Sequence, residues 1–94
     1  MSRLCISRPA RRDLKGIVAY IARDKPVAAH RLRLALEGVF RLLARNPSMG
    51  EARPDLGQGV RVFSFGNYGI YFRKSGGRLV IGRVIAGARD VRSL

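Results

Sequence analysis

The feature that most constrains this chain is a change of hydrophobic period part-way along it. From Leu14 to Leu43 apolar residues recur every three or four positions, and from Val60 to Ile85 they alternate. The first spacing lines one face of an α-helix, and the second lines one face of a β-strand. Neither surface is stable alone, so the helical part and the sheet part must bury their apolar faces against each other.

The helical part divides at Pro26. Leu14, Ile17, Val18 and Ile21 stand at the i, i+3, i+4, i+7 spacing of an amphipathic helix. Ser7 or Arg8 is its expected cap, with Pro9 in the first turn. Lys25 precedes a proline and is steered out of the α region, so it should end one helix or cap the next. A second helix is expected over residues 26–45, with Leu32, Leu36, Val39, Phe40 and Leu43 as its core stripe. Leu34 and Leu42 widen that stripe. Glu37 lies four residues before Arg41, the orientation that favours an exposed ion pair. With so short a connection, the two helices should form an antiparallel hairpin.

Pro, Gly, Asp and Ser crowd residues 46–59, which read as a connecting loop. Beyond them, residues 60–65, 68–73 and 78–85 are rich in β-branched and aromatic side chains and read as strands. Gly66-Asn67 and Ser75-Gly76-Gly77 are the turns between them. Residues 3–7 alternate weakly and make a short strand pairing at one edge. The expected fold is therefore α+β: an N-terminal strand and a helical hairpin packed on a three- to four-stranded antiparallel sheet. The 94 residues should form one domain, since the chain has no linker or internal repeat.

Charge limits the partners. Nineteen Lys and Arg against six Asp and Glu leave a formal net charge of +13. Such self-repulsion opposes compaction and favours an acidic partner, protein or nucleic acid. The single cysteine, Cys5, rules out an intramolecular disulfide and sits in an apolar run as a buried thiol. No stretch has the roughly 18 apolar residues of a membrane span. Pro9 and Arg11-Arg12-Asp13 interrupt any signal-peptide core, so a cytoplasmic protein is expected. No group of Cys, His or carboxylates has metal-ligand spacing, and no cofactor motif is present.

Several short motifs, in order, resemble the ParE/RelE toxin superfamily. They are Ala10 with Asp13-Leu14 and Ile17; Tyr20-Ile21-Ala22; Asn46-Pro47-Ser48-Met49-Gly50; Arg53-Pro54-Asp55-Leu56; Tyr68-Gly69-Ile70-Tyr71-Phe72-Arg73; and Arg83-Val84 with Gly87-Ala88-Arg89-Asp90. The resemblance implies a type II toxin neutralised by direct binding of a short-lived antitoxin. It leaves two chemistries open, because ParE-like members block DNA gyrase and RelE-like members cleave mRNA on the ribosome.

RNA cleavage by a 2′-OH needs groups that remove and deliver protons as well as cations at phosphorus. Arg61, Arg73 and Arg83 match the basic positions, but no His, Tyr or Glu follows Arg83. His30 falls early in the second helix, and arginine is a poor general base. The expectation is therefore a gyrase inhibitor with no catalytic residue of its own, with the mRNA endonuclease as alternative. Residues expected to meet the target or carry toxicity are Arg61, Arg73, Arg83, Arg89 and Arg92. Leu34, Leu42 and Tyr71 are expected to meet an acidic antitoxin. Arg83 shares sequence parity with Leu79 and Ile81, so it is also a candidate structural arginine paired with Asp90 or Asp13.

Overall fold

The computed structural model describes residues 3–87. Its elements are β1 (Leu4–Ile6), α1 (Arg8–Ala22), α2 (Pro26–Arg45), β2 (Glu51–Ala52), β3 (Arg61–Phe65), β4 (Tyr68–Ser75) and β5 (Arg78–Ala86), with two short 3₁₀ turns at Pro47–Met49 and Pro54–Leu56. The strands form one sheet in the order β1-β5-β4-β3-β2.

Ser7 is the cap of α1: its Oγ accepts from the Ala10 amide at 3.2 Å and donates to the Gly82 carbonyl at 2.9 Å. One hydroxyl thus starts the helix and ties it to β5. Lys25 caps α2 from a non-helical conformation, as its position before proline requires. The inner sides of both helices meet one face of the sheet. Ala10 and Leu14 from α1, Leu36, Phe40 and Leu43 from α2, Ile70 and Phe72 from β4, and Leu79, Ile81 and Val84 from β5 form a single core.

The helical hairpin and the β3–β4–β5 meander are as expected. The sheet itself is larger, with five strands rather than three or four, and it is mixed rather than wholly antiparallel. β1 lies parallel to β5, with Leu4, Cys5 and Ile6 opposite Leu79, Val80 and Ile81. β2 occupies the stretch read as loop, with Glu51 opposite Val62 and Ala52 opposite Arg61. A Glu-Ala pair carries no strand propensity, so β2 is made by its neighbour rather than by its own residues. The expected Glu37–Arg41 pair is replaced by Arg33–Glu37, Nη1 to Oε2 at 3.3 Å. Arg33 and Glu37 share the half-buried flank of α2, whereas Arg41 lies on its exposed face.

The β4–β5 ladder contains a bulge. Tyr71 faces Arg83 and Phe72 faces Ile81, which leaves Gly82 without a partner. An extra residue in one strand reverses the inside–outside alternation beyond it. Leu79 and Ile81 point into the core, and past Gly82 it is Val84 that does so. The parity expected for Arg83 fails for this reason: Arg83 is exposed beside Tyr71.

Candidate functional site

Helices cover one face of the sheet, and the residues alternating with the core define the other. A single row crosses four strands on this open face, in which Glu51 pairs with Val62, Val62 with Tyr71, and Tyr71 with Arg83. Neighbouring strands lie about 4.8 Å apart, so Glu51 and Tyr71 stand roughly 10 Å apart along the row. Arg73 is two residues along β4 from Tyr71 and faces Val80. Tyr71, Arg73, Val80 and Arg83 line an open depression of about 360 Å³, together with Ser7 and Pro9 from the start of α1.

The open face thus unites Tyr71, Arg73 and Arg83 of the expected residues. It does not include Arg61. Arg61 pairs with Phe72, so it belongs to the helix-covered face. There its Nη1 donates to the Gly50 carbonyl at 2.6 Å. That contact pins the loop following α2, which gives Arg61 a structural task. Arg89 and Arg92 lie outside the described residues. Leu34 and Leu42 lie away from the row, on α2, at 50% and 39% exposure. His30 is exposed on the same helix and approaches none of these groups.

One residue of this region was not singled out by sequence. Glu51 reaches the open face only because β2 pairs with β3, and no local signal announces that pairing. Asp13, one of the two partners expected for Arg83, is the one that the structure shows. In the structure it accepts from Arg83 Nε at 2.7 Å, from Arg83 Nη2 at 3.0 Å and from the Val84 amide at 2.9 Å. Its burial works to raise the carboxyl pKa. The bonds from Arg83 and Val84 and the positive charges of Arg83 and Arg12 outweigh that, and hold it below the ordinary carboxylate value. The same pairing raises Arg83 above its usual range. Asp13 therefore orients the Arg83 guanidinium beside the depression.

A second ion pair flanks the sheet. Arg53 donates bidentately to Asp55, Nε to Oδ1 at 3.0 Å and Nη2 to Oδ2 at 2.8 Å. These bonds lower the Asp55 pKa and raise that of Arg53. By contrast, Arg73 has no acceptor among the described residues. No group of three or more potential metal ligands occurs among them either. None of their helices is long and apolar enough to cross a membrane. Another open groove, of about 600 Å³, lies between α1 and the β4–β5 strands, lined by Ile17, Tyr20, Tyr68 and Ile85 among others.

A helical hairpin on a mixed sheet, with Tyr71, Arg73 and Arg83 on the uncovered face, defines a small α+β domain. Comparison with known proteins places it. The family model described as the ParE toxin of the type II toxin–antitoxin system, parDE, matches residues 4–91. The chain is 31% identical over 92 residues to Toxin ParE3 of Caulobacter vibrioides, covering 97% of this chain and 92% of that protein. Its fold is shared with a chain of the chromosomal ParDE system from P. aeruginosa, at a TM-score of 0.77 and 24% identity, covering 92% of this chain and 96% of that one. The chain belongs to the ParE toxin family of type II toxin–antitoxin systems.

Proposed function

We propose that this toxin inhibits DNA gyrase when free and is silenced by an acidic antitoxin that binds it directly. The observation that carries the second half is the exposed face of α2. Val27, Leu34 and Leu42 are all exposed, with Arg31, Arg41 and Arg45 interleaved among them. Large apolar side chains in a basic surround suit an amphipathic acidic helix, which would bury the leucines and neutralise the arginines.

Support for gyrase comes from family membership and from the lack of His, Tyr or Glu in the sequence after Arg83. A second reading, cleavage of mRNA on the ribosome, is favoured by Glu51. It brings a carboxylate to the row that contains Tyr71 and Arg83, which is the type of group that general acid–base chemistry needs.

Purified toxin added to a gyrase supercoiling reaction and, in parallel, to translating ribosomes with end-labelled mRNA separates the two. The expected result is blocked supercoiling with intact mRNA. Codon-dependent mRNA cut sites with normal supercoiling, abolished by Glu51→Gln, would replace the gyrase reading with the nuclease one.

A further inference from the structure

We infer that the open face of the sheet is a contact for single-stranded DNA, with Tyr71 as a stacking platform between Arg73 and Arg83. The choice of DNA rests on the gyrase reading, since gyrase works on DNA; the site itself rests on the geometry of the face.

The face is uncovered by either helix, and its ring sits at the centre of a cationic surround. Arg83 lies directly across the ladder from Tyr71, and Arg73 lies two residues along the same strand, about 7 Å away. Arg73 has no acceptor among the described residues. Asp13 takes Nε and Nη2 of Arg83, and Nη1 has no acceptor among the described residues. The depression beside the ring is lined by the apolar Val80 and Pro9 as well as by the two arginines. This arrangement suits a nucleobase on the ring and the flanking phosphates on the arginines. Base–aromatic stacking tolerates any sequence, and arginines supply the phosphate contacts. Duplex bases are already stacked on one another, so the ring selects for an unpaired strand.

Three acids of the described residues are tied up in ion pairs, Asp13 with Arg83, Glu37 with Arg33, and Asp55 with Arg53. The net +13 already counts all six acids, so the excess stands after every carboxylate has been subtracted. A polyanion is the partner that this balance attracts. Glu51 lies at the far end of the row and limits the contact to the β4–β5 side of the sheet.

Fluorescence anisotropy with a 5′-labelled 20-mer of deoxythymidine, its oligouridine counterpart and a 20-base-pair duplex tests the inference on the full chain. The deoxythymidine 20-mer should bind tightest, and its affinity should fall steeply with added salt. Tyr71→Leu, which keeps apolar bulk, should weaken binding about tenfold. Arg73→Gln, at an exposed position, should weaken it and reduce the log–log salt slope by about 1. Arg23→Gln removes the same charge at the helical turn and should leave binding close to wild type. Equal effects of Arg73→Gln and Arg23→Gln would reduce the binding to net charge and overturn the inference, as would tighter binding of the duplex or of oligouridine. Blocked supercoiling without binding of the 20-mer overturns this inference alone. Binding that depends on Tyr71 and Arg73, without any effect on supercoiling, overturns the gyrase reading alone.

Discussion

A side chain added at Gly50 would have no room. Its Cβ would clash with the ring of Phe72 at Cζ and at Cε1, 2.7 Å from the latter, and would lie 3.1 Å from Arg61 Cβ. The carbonyl of the same residue holds the Arg61 guanidinium. The Asn46-Pro47-Ser48-Met49-Gly50 motif is thus explained by packing: Pro47 and Met49 form the turn after α2, and Gly50 lets the chain pass close over Phe72. Gly50→Ala should lower unfolding stability by about 1–3 kcal/mol, the usual cost of forcing extra atoms into a packed site. Urea denaturation would show this as a lower midpoint at unchanged slope, and a midpoint equal to wild type would refute it. Residue identity made the glycine legible but not its neighbours, which lie 11 and 22 positions further along. For the same reason Arg61 looked like one more basic residue of the sheet, when its register places it on the opposite face from Arg73.

At the scale of elements, the bounds of α2 and the three long strands were readable because each carries its own period. β2 was not, since two residues cannot express a period. Of the join between α1 and β5 only the Asp13–Arg83 pair was readable, as one of two alternatives, because the rest depends on contacts 70 or more positions apart. β1 covers β5 only as far as Ile81. Beyond it, α1 supplies the partners: the Ser7 amide donates to the Ile81 carbonyl, Ser7 Oγ to the Gly82 carbonyl, and the Val84 amide to Asp13. The beginning of a helix thus continues the edge where the strand stops.

The contact through Asp13 should respond to acid. Its folded pKa is depressed, so its stabilising contribution is present above the unfolded carboxylate pKa of about 3.9 and is lost as pH falls through the lower folded value. Melting temperature should therefore drop on acidification below about pH 4. Asp13→Asn should start several degrees lower at pH 7 and show a shallower acid limb. Parallel melting curves for the two proteins between pH 7 and 2.5 would show that Asp13 contributes nothing to the acid response.

The whole molecule has two layers with different surfaces. The helical layer shows leucines among arginines on α2, while the sheet layer shows a ring among arginines. The two proposed contacts, with a protein on one side and a polyanion on the other, would thus draw on a single charge excess. That excess was fully legible in the composition; its division between two faces was not, because it depends on strand register. Capture of an acidic antitoxin should be steered by this field. Its association rate should fall at least tenfold between about 50 and 500 mM NaCl, with dissociation changing far less, since apolar contacts on α2 control release. Stopped-flow mixing would measure both, and a salt effect confined to dissociation would contradict steering.

Gly82 has a consequence that no chemical property of the residue expresses. Because it occupies a place in β5 without a partner, it acts as a one-position phase slip in the strand. Which side chains face the core after it is determined by the count of residues rather than by their kinds. Arg83 and Val84 each face the correct side only while that count holds. The second half of β5 can therefore drift in composition more freely than in length, and the tie to Asp13, the rim of the depression and the last core valine all share that single dependence.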